Sequence, residues 1–431
     1  MLENTKILID GYNLRLKTGT GIKNYGFSLV NAIHALNAEI SVLFDKKIRT
    51  RKNKVLREVF FFEGQETYNN MNYAYLSIKN LLLRNFATYI PKETVILDHK
   101  SNLEKIFWDK INIYNADKCY EISNFIYKKL KLTTNIEIPQ KIDIWHCTYP
   151  LPIKISKAKK ITTIHDLIPL ILPYTTQDDK YFFYHLIQHS IEESDLIITV
   201  SENTKKDIVD VYNCNPEKIF VTYQPVNIRP LSGEIIDKGY LSRFLEQYQL
   251  KENNYLLFVG AIEPKKNFAR LLEAYYLANV DIPLVVVGKK AWLWEDELEN
   301  IEKLFGKKFN KKVKLLDYVP YFELSLLYKG ASCFMFPSLY EGFGLPPLEA
   351  MSVGCPVITS NVSSLPEICG EAALYCDPYD TFDICQKIKE VLSNNSLREN
   401  MKTLGYEQVK KYSFEHYIDK VDEAYNQVLK L

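Results

Sequence analysis

Two glutamates, Glu341 and Glu349, flank the glycine- and proline-rich run "EGFGLPPLE", and two adjacent lysines, Lys265 and Lys266, close the turn "GAIEPKK". A carboxylate beside a nucleotide can accept both hydroxyls of a ribose diol, which suits Glu349 one turn into a helix. Glu341, further up the loop, could hold sugar hydroxyls or meet a developing positive charge. A carboxylate pair alone would repel a diphosphate, so a cation must come from elsewhere. A lysine over a helix N-terminus supplies it and stabilises leaving-group charge without a metal. The plainer alternatives are a helix whose first-turn acid complements its dipole and a solvated turn before an amphipathic helix. Finding both segments in the same half of the chain favours one shared anion site.

The elements that must position these residues are read from periodicity. "KILID", "ISVLF", "KIDIWH", "KITTIH" and "LIITVS" read as buried parallel strands, separated by helical spacing over Ile22–Leu36 and Tyr181–Glu193. A second series runs through "YLLFVG", "PLVVVG", "VKLLDYV", "CFMFPS" and "PVITS". Strand–helix alternation, twice over, predicts an α/β protein of two Rossmann-like doubly wound domains facing a central cleft. Glu341, Lys266 and His165, the last at the end of "TTIH", all fall at strand ends, where such sheets bind ligands. The expected domains are 1–228 and 229–411, with an elaboration over about 45–140 and a last helix, 412–431, packing back on the first domain.

Bulk properties exclude several classes. At 431 residues the chain is too long for one ordinary core, and its net charge of +1 gives no case for nucleic acid. Eight cysteines without C-x-x-C or zinc spacing read as reduced thiols of a cytoplasmic protein. No apolar run approaches the roughly 18 residues of a membrane span. The basic stretch "KKIRTRKNK", Lys46 to Lys54, reads either as solvated loop or as a peripheral anchor for an anionic inner membrane surface. His185 and His189 share a helix face without a third ligand nearby, so no metal site is expected. "TGTGIKNYG" spaces its glycines as G-x-G-x4-G after an overlong loop, which argues against a nicotinamide fingerprint.

The motifs together resemble the retaining family 4 glycosyltransferases of the GT-B fold, most closely bacterial enzymes of O-antigen and capsule assembly, many of them mannosyltransferases. The likeness rests on "PSLYEGFGLPPLEAMSVGCPVITS", "SSLPEICGEAALYCDP", "EPKKN", "TTIHDLIPL", "ITVSENTKKDI" and "GTGIKNY", in that family's order, and spans most of the chain outside about 45–140. It implies that Lys266 holds the donor diphosphate, Glu349 the ribose, and Glu341 and His165 the sugar side. It further implies backbone contacts from Phe343, Gly344 and Leu345, base packing at Val319, and a first-domain glycine, Gly21, near the diphosphate. Many members carry an arginine where Ala261 stands, so Lys265 or the helix N-terminus would assist Lys266. The implied donor is a nucleotide sugar, GDP-mannose ahead of UDP-glucose, UDP-N-acetylhexosamines and deoxysugar nucleotides, with no further cofactor. The implied acceptor is a glycan or lipid-linked glycan. The absence of any Asp-x-Asp counts against the metal-dependent GT-A class. A nucleotide-sugar 2-epimerase of the same fold and a non-catalytic sugar-binding subunit remain the alternatives, the latter disfavoured by two retained glutamates and Lys266.

Overall fold

A computed structural model describes residues 2–15, 21–48, 53–63, 85–92, 110–226, 239–289, 305–306, 309–316 and 319–431. The first sheet is built from β1 (Lys6–Asp10), β2 (Glu39–Phe44), β4 (Thr88–Ile90), β5 (Asn112–Asn115), β7 (Ile144–Cys147), β9 (Lys159–Ile164), β10 (Leu196–Thr199) and β11 (Ile219–Val221). Its order is β11-β10-β9-β7-β1-β2-β5-β4, parallel throughout except where β4 runs antiparallel to β5 at the edge. Near-continuous Ile, Leu and Val runs produce this arrangement, because helices cover both faces of a parallel sheet. The short strands β3 (Asn85–Phe86), β6 (Thr134–Glu137) and β8 (Ile153–Ile155) form a small separate sheet. The elaboration expected over 45–140 is therefore partly structural: β4 and β5 extend the main sheet.

The second sheet comprises β12 (Leu256–Val259), β13 (Leu284–Val287), β14 (Val313–Leu316), β15 (Cys333–Phe336), β16 (Val357–Ser360) and β17 (Ala373–Cys376). It is all parallel in the order β14-β13-β12-β15-β16-β17. Counted from β12 this is 3-2-1-4-5-6, so the winding reverses between β12 and β15, and a crevice opens there at the strands' carboxyl ends. The same reversal in the first sheet lies between β1 and β7. The expected boundary at 228/229 falls outside the described residues.

The helices that matter below are α1 (Gly21–Ala35), α2 (Lys180–Glu193), α3 (Glu202–Tyr212), α4 (Phe268–Ala278), α5 (Tyr321–Gly330), α6 (Leu345–Ser352), α7 (Leu365–Cys369) and α8 (Phe414–Lys430). The last, α8, buries Tyr417, Val421, Ala424, Tyr425 and Val428 against the first domain. There the Tyr425 hydroxyl meets His146 Nδ1 at 2.6 Å, and His146 Nε2 meets Thr163 Oγ1 at 2.8 Å. All eight cysteines are free and buried. Among the described residues no helix is long and apolar enough to cross a membrane.

Candidate active site

The reversal between β12 and β15 brings two loops together that lie far apart in sequence. After β12 the chain makes a short 3-10 turn, Pro264–Lys266, and Asn267 takes a left-handed conformation to enter α4. The Asn267 amide donates to the Pro337 and Pro378 carbonyls at 3.0 and 2.7 Å, pinning this turn to the exit of β15. The Leu339 amide adds a bond to the Lys265 carbonyl at 2.8 Å. Lys266 lays its aliphatic stem across Gly260 and ends 2.6 Å from Glu341 Oε1 and 4.8 Å from the centre of the Phe336 ring. Both partners are mostly buried, at 14% and 13% side-chain exposure, so their attraction is screened little by solvent.

The Glu341 loop is held by serines. The Glu341 amide donates to Ser363 Oγ at 3.1 Å, and Ser364 Oγ donates to the Glu341 and Phe343 carbonyls. Gly344 has φ +122°, which a residue with a side chain rarely adopts, and turns the chain into α6. Leu345 begins that helix, Pro346 and Pro347 follow in its first turn, and no side chain caps it. Pro346 and Pro347 carry no N–H, so its amino end offers an anion the Gly344 and Leu345 N–H groups and the positive end of the helix dipole. Glu349, one turn in, is 6% exposed and accepts a bond from the Tyr321 hydroxyl at 3.1 Å. Burial pushes its carboxyl up to about 7, only partly offset by the neighbouring tyrosine hydroxyls. Val319, buried just ahead of α5, lies on the segment that carries Tyr321 to Glu349. Phe343 turns its ring inward between Tyr223 and Tyr412, so what remains for a ligand is its backbone.

The first domain contributes the facing wall. His165 is 9% exposed and donates Nε2–H to the Thr148 carbonyl at 3.0 Å, which leaves Nδ1 as the acceptor nitrogen. Burial lowers its pKa to about 4, so the ring is neutral at pH 7. Tyr25 packs edge-on to it at 4.8 Å. Thr148 is itself clasped by Asp10, at the carboxyl end of β1, which accepts from its amide and its hydroxyl. Burial raises the Asp10 pKa to about 6. This Asp10–Thr148–His165 relay sits at the first sheet's reversal point. Sequence reasoning missed it, although an acid ending the first strand was the available signal. Gly21 is the first residue of α1 with open space around it; the residues before it, 16–20, lie outside the described set.

Gly342 marks a contact between domains, since a Cβ there would collide with the His165 carbonyl and sit 3.0 Å from Asp166 Cβ. Its role is to let the two domains touch, and the Gly342 carbonyl accepts Ser201 Oγ at 2.7 Å across the junction. Lys265, expected to assist Lys266 at the diphosphate, pairs with Glu263 at 3.4 Å. Burial opposes the charge of Lys265, but Glu263, Glu341 and Asp166 together outweigh it and raise its pKa. Asp166, beside His165, was not singled out from sequence; burial raises its pKa, and it faces Lys265 and Glu341 across the cleft. Among the described residues no cluster of His, Cys, Asp or Glu is arranged to hold a metal ion.

Comparison with known proteins bears on the family and the fold. The family model "Glycosyl transferases group 1" matches residues 243–408, and "Glycosyltransferase Family 4" matches residues 120–229. The chain is 34% identical over 284 residues to O-antigen chain mannosyltransferase B of Escherichia coli, covering 64% of this chain and 71% of that protein. It is 25% identical over 376 residues to the O-antigen chain mannosyltransferase RfbU of Salmonella typhimurium, covering 87% and 88%. Among solved structures, sucrose-phosphate synthase from Thermosynechococcus elongatus superposes with a TM-score of 0.66 at 18% identity, covering 99% of this chain and 100% of the other. The Anabaena protein HepE in complex with UDP and glucose gives 0.65 at 11% identity, covering 98% and 100%. These structural likenesses establish the GT-B fold. The sequence likeness to the Escherichia coli enzyme goes further, and the chain belongs to the family 4 glycosyltransferases.

Proposed function

We propose that this glycosyltransferase moves a mannosyl group, with retention at the anomeric carbon, from GDP-mannose to a hydroxyl of a glycan or lipid-linked glycan in surface polysaccharide assembly. The observation that carries the reaction class is the Lys266–Glu341 pair, 2.6 Å apart at the sheet's reversal point. The names of the Escherichia coli and Salmonella relatives support the mannosyl part.

A diphosphate carries more charge than one carboxylate and therefore competes well for the Lys266 ammonium. The Gly344 and Leu345 N–H groups and the dipole of α6 add further stabilisation. Drawing Lys266 onto the diphosphate frees Glu341 to accept from a sugar hydroxyl. Glu349 takes the ribose diol, and the main chain at Val319 flanks the base. His165 offers Nδ1 to a sugar hydroxyl; with a pKa of about 4 it orients rather than carries the proton. The acceptor oxygen forms its bond to the anomeric carbon on the face the leaving group departs from. As the anomeric carbon–oxygen bond to phosphate breaks, the acceptor proton passes to a donor phosphate oxygen. Lys266 thus does what a divalent cation does elsewhere, so turnover is expected to persist in EDTA.

The experiment is a nucleotide-sugar panel read by thermal shift and by slow hydrolysis of the donor. A ligand at about 100 times its Kd adds about 2.7 kcal/mol of stability. GDP-mannose should shift the unfolding transition most, and a larger shift with a uridine donor would overturn the choice of donor.

The same proposal places the enzyme at an anionic inner membrane surface through the basic stretch from Lys46 to Lys54. Lys47 and Lys54 are exposed, whereas Lys46 donates to the Phe61 carbonyl at 2.7 Å; Arg49, Arg51 and Lys52 lie outside the described residues. Co-sedimentation with anionic but not neutral vesicles, lost in a serine variant of these basic residues, is the expected result. Equal sedimentation of both proteins would leave the stretch as solvated surface.

A further inference from the structure

Beside the Lys266–Glu341 pair a second space opens between the domains. It is a cavity of about 360 Å³ lined by Thr175, Thr176, Gln177 and Asp178 from the first domain and Glu263 and Lys265 from the second. That volume lies within the roughly 300–1,000 Å³ of small-molecule sites. We infer that this cavity receives the terminal sugar of the acceptor and selects a neutral sugar over one bearing a carboxylate or phosphate. The inference rests on the transfer reading above.

Position is the first support. Lys265 and Lys266 are consecutive, and the Lys265 carbonyl is tied to Leu339 two residues before Glu341, so the cavity adjoins the expected sugar side of the donor. Chemistry is the second. Every lining residue is polar, and together they present hydroxyls, an amide, carboxylates and an ammonium, the mixture that a ring of hydroxyl groups can satisfy. Thr176 Oγ1 is buried without a hydrogen-bond partner among the described residues, a group that is costly to leave unpaired. The turn itself is fixed: Asp179 caps α2 by accepting from the Phe182 amide at 3.0 Å, which leaves the adjacent Asp178 and Gln177 exposed to a ligand. Charge is the third. Asp178 and Glu263 oppose the single ammonium of Lys265, and Lys265 is already paired with Glu263 at 3.4 Å. Asp166 lies within electrostatic reach of both Asp178 and Lys265. Among the lining residues an anionic sugar would therefore meet two carboxylates against one ammonium that is already paired, and the neighbouring Lys180 ammonium is held by the Thr176 carbonyl at 2.5 Å.

The test uses the full chain and three forms: wild type, Gln177→Ala and Asp178→Lys. Saturation-transfer NMR reports binding of methyl α-mannoside and of its 6-phosphate, and donor hydrolysis without acceptor reports the nucleotide site. Wild type should bind the neutral sugar and discriminate against the phosphate by about tenfold or more. Gln177→Ala should weaken the neutral sugar by about tenfold, and Asp178→Lys should reverse the preference, both with donor hydrolysis within about twofold of wild type. Equal binding of both sugars to wild type, or hydrolysis falling together with binding in both variants, would overturn the assignment. If no nucleotide sugar is hydrolysed while the sugar-binding pattern holds, the transfer reading fails and the cavity assignment stands.

Discussion

In the proposed site Lys266 and Glu349 divide the binding of one nucleotide donor. Lys266 supplies mobile positive charge, and its replacement by alanine should lower turnover by about 10²–10³, or about 2.7–4 kcal/mol, the usual cost of losing one preorganised donor. Donor-saturated kinetics will check this, and wild-type turnover would remove Lys266 from the leaving-group role. Glu349 works against its own surroundings, since burial holds its pKa near 7 against an ordinary value of 4.5. Because the folded-state value is raised, the contribution to stability is full below pH 4.5 and is lost as pH rises through 7. That loss amounts to about 3 kcal/mol. Glu349→Gln should accordingly be the more stable protein at pH 8, with the difference shrinking toward pH 4.5, while its nucleotide affinity falls. Chemical denaturation at several pH values reads the first effect, and a pH-independent difference would contradict it. Wild-type nucleotide affinity should itself rise with pH through 7, since the ribose diol favours the ionised carboxylate.

At the scale of elements, the junction between the Glu341 loop and the end of β9 is a close contact made by glycine. Gly342 packs on the His165 carbonyl and Asp166 Cβ, and Ser201 and Thr204 of the α3 entry donate to the Gly342 and His165 carbonyls from the side. A methyl group at 342 has no flexible neighbour to displace. Gly342→Ala should therefore cost about 1–3 kcal/mol, the usual range for overpacking, and separate Glu341 from His165. Thermal denaturation and transfer rate should fall together, whereas a variant with unchanged values would show that the junction yields easily. The buried chain from Tyr425 through His146 and Thr163 to Tyr25, whose hydroxyl lies 2.8 Å from Thr163, ends against the His165 ring. Helix α8 thus backs the His165 wall of the cleft as well as covering the sheet.

Across the whole molecule, the second domain caps a helix of the first. Glu367 of α7 accepts the Glu202 and Asn203 amides at 2.8 and 3.0 Å, placing a carboxylate on the amino end of α3. The Tyr340 hydroxyl donates to Asp207 on the same helix and accepts from the Asn203 side-chain Nδ2 at 2.6 Å. Glu367→Ala should lose about 0.5–2 kcal/mol, as a removed helix cap does. It should also loosen the domains, read as a lower melting temperature and faster hydrogen exchange at the start of α3. Protection unchanged at Glu202 and Asn203 would refute the capping role.

Much of this was legible in the chain because it is local. Apolar runs such as "CFMFPS" and "LIITVS" fix parallel strands by composition alone, and the turn and helix entry around Glu341 follow from glycine and proline placement. The strand ends then nominate Lys266, Glu341 and His165 as site residues, and the first turn of the following helix nominates Glu349. What periodicity does not carry is which loops meet. The strand order β14-β13-β12-β15-β16-β17 alone decides that the turn after β12 faces the loop after β15, so the 2.6 Å pair is a product of topology. Desolvation is equally non-local: Glu349 is raised by what packs around it, and Asp10 reads in sequence as an unremarked strand-terminal acid. Gly342 spaces two domains, because the His165 carbonyl arrives against it only when the two sheets come face to face, whereas Lys265 turns to Glu263, a neighbour in its own turn.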